Sequence, residues 1–234
     1  MSSAEQSPVA PTAQAAPAAP VAIIGTGRVG AALGKRFASA GYPIRFGVRG
    51  DKDLSELLDQ VRATAGGVSV EAKSPMKAAR EAELIFLAVP GGALFDAVSS
   101  LGPLMGKVLV DCTNPVRWDK GPVWDPPEAG SNAQALQALA QPAVVVKAFN
   151  GFGAEFHEDP ELGGRGIDVF MAGDDEGAKA RVAEIALRSG FCPVDAGPLR
   201  NAGLVENAAV LWIHLAMVGG QGRDFGLCLV RREG

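Results

Sequence analysis

The stretch from Val21 to Gly50 constrains the fold more than any other. The apolar run Val21-Ala22-Ile23-Ile24 passes at once into Gly25-Thr26-Gly27-Arg28-Val29-Gly30. Val29, Ala32, Leu33, Phe37 and Ala40 then recur at helical spacing until Gly41, and Ile44-Arg45-Phe46-Gly47-Val48 reads as a second strand. A strand, a glycine turn, a helix and a strand within about thirty residues form the setting that a bare glycine pattern needs before it signifies dinucleotide binding. Gly25 permits the tight turn, Gly27 lets the backbone approach a pyrophosphate, and Gly30, with Gly34 a turn later, lets the helix lie close to the strands. The free amides at the helix start then face the phosphates, where the macrodipole favours negative charge.

The end of the second strand bears on which nucleotide is bound. NAD-type sites carry an acid there to accept hydrogen bonds from the ribose hydroxyl. Here the place holds Val48-Arg49-Gly50, with Lys52 just behind. Arg49 can grip a 2′-phosphate through a charge-assisted contact, which favours NADP over NAD. The other reading is a solvated Arg49, with Asp51 or Asp53 serving the ribose.

Farther along, strand and helix keep alternating. Asp53-Leu54-Ser55-Glu56 has the form of a capping box before a helix, Val68-Ser69-Val70 reads as a short strand, and Ser74-Pro75 opens another helix. Leu84 to Val89 and Val108 to Val110 are continuous apolar runs of the kind buried on both faces of a parallel sheet. The expected architecture is therefore α/β, a Rossmann-type doubly wound, mainly parallel sheet with a C-terminal helical extension. Ligands of such sheets bind beyond the carboxyl ends of the strands, where Gly25 to Gly30, Val89 to Gly92 and Cys112-Thr113-Asn114-Pro115 should converge. Asn114 can hydrogen-bond a nicotinamide or ribose, or can satisfy its own backbone in an Asn-Pro turn. Val116 to Gly130 reads as a long loop with Trp118 and Trp124: a lid, a substrate wall or a subunit contact.

The second half continues in the same manner. Val144 to Phe149 and Ile167 to Ala172 read as strands, Ser131 and Asp174 or Asp175 as helix caps, and Cys192 to Asp195 as a last short strand. A terminal helix from about Asn201 to Met217 is apolar over more than one stripe, fit for the core or a second subunit. This divides the chain into a tail (1–20), a nucleotide-binding domain (21–150) and a continuation with helical part (151–234) that would complete an acceptor site and a possible dimer contact.

Composition excludes several classes. With 234 residues, 47% of them hydrophobic, and a net charge of -4, the chain can bury a full core and has no general attraction for nucleic acid or an anionic membrane. Cys112, Cys192 and Cys228 are few and scattered, which suits reduced thiols in the cytoplasm and makes no metal pattern. Residues 1–20, built from Ala, Pro, Ser and Gln, lack the basic start and apolar run of a signal peptide and are expected to be disordered. No apolar run is long enough for a membrane span.

Seven motifs in order resemble the coenzyme F420-dependent NADP oxidoreductases, whose nucleotide domain also occurs in certain membrane metalloreductases. They are Gly25-Thr26-Gly27, Gly47-Val48-Arg49, Ala88-Val89-Pro90, Ser131-Asn132-Ala133, Val146 to Asn150, Ala172 to Asp175, and Asp195 to Leu199 followed by Val205-Glu206. The resemblance implies Thr26, Arg28 and Val29 at the pyrophosphate, Arg49 at the 2′-phosphate, Val89 and Pro90 by the nicotinamide ribose, and Asn150 near the acceptor ring. It implies direct hydride transfer with no obligatory side-chain acid or base, so that no catalytic residue is assigned. Two positions depart: Val48 stands where such reductases often have serine, and Asn150 where they have histidine, as in the metalloreductase branch.

The expected function is an NADP(H)-dependent oxidoreductase passing hydride between nicotinamide and a deazaflavin (coenzyme F420), a flavin or another small organic acceptor. The expected setting is a cytoplasmic homo-oligomer, a homodimer, that binds neither nucleic acid nor membrane. A non-catalytic NADP sensor and an imine or keto reductase on the same domain are the alternatives. His157, in a charged turn, is expected to be solvated. His214 reads as a packing residue on the terminal helix, and Lys147 as a strand lysine reaching the sheet edge.

Overall fold

The computed structural model describes residues 18–232. Of the expected tail, residues 1–17 lie outside the described residues, whereas Ala18 packs against the core. Six strands make the main sheet: β1 (Val21–Ile24), β2 (Ile44–Gly47), β3 (Val70–Lys73), β4 (Leu84–Leu87), β5 (Val108–Asp111) and β8 (Val144–Lys147). Their order is β3-β2-β1-β4-β5-β8 and every pair is parallel. This is the doubly wound arrangement, with its reversal of strand order between β1 and β4.

The helices α1 (Arg28–Ser39), α2 (Ser55–Thr64), α3 (Pro75–Glu81), α4 (Leu94–Ser99) and α5 (Asn132–Leu139) connect these strands. Because successive strand residues point to opposite faces, Ile23 and Phe46 join Leu33 and Phe37 of α1 in one buried cluster. Ile24 and Leu87 join Ala78, Leu94 and Leu136 in the other. A sheet covered on both sides explains why its central strands are apolar without alternation.

Beyond β8 come α6 (Ala154–Glu158), the short antiparallel pair β9 (Glu161–Leu162) and β10 (Arg165–Gly166), and β11 (Asp168–Met171). The last elements are α7 (Glu176–Arg188), β12 (Cys192–Asp195) and α8 (Ala202–Met217). Strands β11 and β12 pair in parallel, and Lys147 and Ala172 exchange backbone hydrogen bonds of 2.8 and 3.1 Å. This second unit is thereby attached to the edge strand β8 by an antiparallel bridge.

Local differences from the sequence reading have local causes. Residues 116–130 are not structureless: β6 (Val116–Trp118) and β7 (Pro122–Trp124) form an antiparallel hairpin. The Asp53 box does not close. Its carboxylate accepts from the amide and hydroxyl of Ser55, only two residues on, a turn rather than a cap. The Ser131 and Asp175 caps do form, accepting from the amides of Gln134 and Ala178. In α8 one face (Val205, Ala209, Trp212) is buried and the other leaves Leu204 and Leu211 exposed.

Candidate functional site

The glycine turn joins β1 to α1 as its spacing requires. Gly25 adopts a φ of +113°, and a Cβ there would lie 2.3 Å from the Ala88 carbonyl oxygen; one at Gly30 would lie 2.1 Å from the oxygen of Gly25. At Gly27, the residue preceding α1, a Cβ would meet nothing within 4 Å. The backbone is thus packed on its inner side and open on its outer side, where the unpaired amides of the first helical turn stand. No acid occupies that turn.

An open cleft of about 190 Å³ lies beside it, lined by Gly25, Thr26, Val48, Arg49, Lys52 and Val89. Arg49 is exposed and makes no hydrogen bond or ion pair among the described residues. Lys52 reaches back across the cleft to within 3.4 Å of the Thr26 hydroxyl. Asp51 is exposed, and Asp53 is engaged by Ser55, which lowers its pKa. The two cations therefore face the cleft mouth without an opposing carboxylate hydrogen-bonded to them. Pro90 is exposed and Val29 half-buried near the same turn.

Arg28 is placed differently from a free phosphate ligand. Its guanidinium lies 2.8 Å from Glu155 of α6, and Arg223 grips the same carboxylate at 2.9 Å while sitting over the Trp212 ring. The Arg223 hydrogen bonds hold Glu155 at a pKa of about 2.

Outside that cleft, in the turns that follow β5 and β8, Asn114 and Asn150 meet. Asn114 donates to the Asn150 carbonyl at 2.9 Å and accepts from the Asn150 side chain at 2.8 Å. Asn150 is 6% exposed, and its Oδ1 has no partner among the described residues. Before it stands Phe149 at φ +59°, a left-handed conformation costly for any residue with a Cβ. Its ring is held edge-on by Phe37, Phe86 and Phe191.

Three residues behave contrary to the sequence reading. His157 is buried, not solvated: Nε2 lies 2.8 Å from the Phe149 carbonyl and Nδ1 3.1 Å from that of Gly153. Burial pushes its pKa below the ordinary histidine value, the two carbonyls opposing. The charges around it in sequence hide that α6 turns this side chain inward. His214, by contrast, is exposed on the outer face of α8. Lys147 does not reach the sheet edge. It is fully buried, 2.8 Å from Asp111 and 2.9 Å from Glu206, and it also donates to the Thr113 carbonyl. Burial pushes the ammonium pKa down, but Asp111 and Glu206 more than restore it, leaving it above the usual lysine value. Glu206 is raised by burial, against the pull of Lys147. Burial also raises the pKa of Cys112, so the thiol beside this cluster is inert. One signal in the sequence points here: the apolar strands β5 and β8 end on Asp111 and Lys147, which are register partners.

The pattern of the family described as NADP oxidoreductase, coenzyme F420-dependent, matches residues 20–115. The F420-dependent NADP reductase of Methanothermobacter thermautotrophicus is 30% identical over 211 residues, 83% of this chain and 88% of the reductase. The chain belongs to the F420-dependent NADP oxidoreductase family. That family is described as one of NADP oxidoreductases. Metalloreductase STEAP3 of Rattus norvegicus is 34% identical over 190 residues, 80% of this chain but 35% of that protein. The chain therefore spans about a third of the length of the curated metalloreductases it matches. Among solved structures, a candidate F420-dependent NADP reductase from Arthrobacter sp. FB24 superposes with a TM-score of 0.78 at 28% identity. The match covers 90% of this chain and 99% of that one. Among the described residues no helix is long and apolar enough to cross a membrane, and no group of side chains could hold a metal ion.

Proposed function

We propose that the crevice binds NADP(H) in extended form, its adenosine 2′-phosphate at Arg49 and Lys52 and its nicotinamide toward Asn150, for hydride exchange with a deazaflavin, a flavin or another small organic acceptor. The observation that carries this is the pairing of an open, amide-fronted turn at Gly27 with two cations at the β2 end that have no carboxylate partner among the described residues. The residues fit the group: Gly25 and Gly30 admit no side chain, Gly27 leaves room for a phosphate, and the orphan Asn150 Oδ1 can accept from a carboxamide. When bound, the nicotinamide supplies or takes the hydride. Thr26 and the α1 amides hold the diphosphate, and Val29, Val89 and Pro90 shape the wall along which the cofactor lies.

Arg28 would turn from Glu155 to the diphosphate or stay as part of a wall over it. A pocket behind Asn150, lined by Phe152, Val205 and Leu227, encloses about 10 Å³. That is the space of roughly one water, so a ring acceptor would approach from the open side. No side chain is assigned as acid or base, and the chain's contribution is orientation and exclusion of water.

The test is titration of NADP and NAD into wild type and Arg49→Ala. Loss of a charge-assisted contact worth about 1.5–3 kcal/mol weakens NADP by roughly ten- to a hundredfold and leaves NAD unchanged. Equal weakening of both would remove Arg49 from the 2′-phosphate. Oxidation of NADPH with deazaflavin, flavin and ferric acceptors in turn identifies the partner, and tight binding without turnover would instead make the protein a sensor. A homo-oligomer belongs to the same reading, carried by the exposed Leu204, Leu211 and Met217 of α8, and light scattering on the purified chain measures it. So does a cytoplasmic setting, for which the three cysteines stand free.

A further inference from the structure

The buried charges lie outside the cleft, yet several of their bonds converge on Thr113, the residue before Asn114. Each donor on the Lys147 ammonium has an acceptor: Asp111 Oδ2, Glu206 Oε1 and the Thr113 carbonyl. The other Asp111 oxygen accepts from the Thr113 amide at 2.9 Å and its hydroxyl at 2.7 Å, and that hydroxyl in turn accepts from Asn132 Nδ2 at 2.8 Å. The Asn132 amide, at the start of α5, donates to Glu206 at 3.0 Å. One buried cation thereby ties the end of β5, the turn after it, the first residue of α5 and helix α8 to a single point.

The residue following Thr113 is Asn114, whose side-chain amide is committed at both ends to Asn150. The residues between Lys147 and Asn150 are Ala148 and the left-handed Phe149. Both partners of the asparagine pair are thus set from the same ammonium, one through Thr113 and one along the chain. Among the described residues the arrangement leaves two buried acceptors without a partner, Glu206 Oε2 inside the cluster and Asn150 Oδ1 at the asparagine pair. Holding such an atom unpaired and immobile costs free energy that packing alone would not select.

We propose that Lys147 is a positioning residue: with Asp111, Glu206 and Thr113 it holds Asn150 so that its free carbonyl receives the carboxamide of the nicotinamide ring. The inference rests on the NADP(H) reading above and deepens it. It also separates the cofactor's two ends physically. The adenosine end is held by backbone and surface cations, and the nicotinamide end by a side chain whose aim depends on a buried ion cluster. A cluster that only stabilised the fold would affect both ends alike.

The experiment uses the full chain and two probes, adenosine 2′,5′-bisphosphate for the adenosine end and NADPH fluorescence for the ring. Wild type, Lys147→Met, Thr113→Val and Thr113→Ser are compared. In Thr113→Val the hydroxyl linking Asp111 to Asn132 is lost, and in Thr113→Ser it is kept. The expected result is adenosine bisphosphate affinity within twofold of wild type throughout. The enhanced emission of bound NADPH at saturation falls toward that of free NADPH in Lys147→Met and Thr113→Val, and Thr113→Ser restores it. Should Lys147→Met not fold, the threonine pair carries the test by itself. Unchanged bound-state emission in Thr113→Val, or equal weakening of both probes, overturns the positioning role. Failure of wild type to bind adenosine bisphosphate would instead overturn the nucleotide reading beneath it.

Discussion

The two ends of the proposed cofactor site are built on opposite principles. Around Gly25 to Gly30 recognition belongs to the backbone: glycines remove side chains, amides point outward, and Arg49 and Lys52 stand at the rim in water. Around Asn114 and Asn150 it belongs to side chains in a water-poor interior, where Lys147, Asp111, Glu206 and His157 are all buried. The first end tolerates imprecision because exposed cations adapt and are screened. The second cannot, because an unpaired charge in a low-dielectric interior is costly. A backbone site is therefore robust to most substitutions except at its glycines, whereas a side-chain site fails wherever its network is cut.

That contrast can be broken most directly at Lys147. Removing one member of a buried ion cluster typically costs about 3–5 kcal/mol, and Lys147→Ala is expected to lose that much in a denaturant titration. A loss below about 1 kcal/mol, the range of exposed pairs, would erase the distinction.

On the backbone side, Gly30→Ala places a methyl group 2.1 Å from the Gly25 oxygen and should cost about 1–3 kcal/mol as the turn shifts. Gly27→Ala, pointing into open space, should leave the melting temperature nearly unchanged while weakening nucleotide binding. If the two alanines destabilise equally, the inner and outer sides of the turn are not distinct.

His157 sharpens the comparison through pH. Burial depresses its folded-state pKa below the ordinary 6.5, so between the two values the unfolded chain binds the proton and the native state does not. The stability held by neutral His157 is therefore full above the ordinary value and declines as pH falls toward the depressed one. His157→Gln should remove that segment of the stability curve, measured by unfolding from about pH 8 to about pH 5. An unaltered acid limb would show that the imidazole titrates as if exposed. The smallest effect is expected at the surface, where Arg62→Ala breaks an exposed pair with Asp59 and a hydrogen bond to the Val70 carbonyl and should change stability by about 1 kcal/mol or less.

The amino-acid order alone determined the strand, turn and helix from Val21 to Ile44 and the parallel sheet, because periodicity and glycine spacing are local properties of the chain. It also marked Arg49 at the strand end, in the place where NAD-type sites carry an acid. Only the tertiary structure decided that Lys147 lies between Asp111 and Glu206, 36 and 59 positions away, and that His157 turns inward from a charged segment. The physical reason is that a charged side chain reads as solvated until its partners are known, and partners that far apart in sequence are brought together only by the packing of β5, β8 and α8.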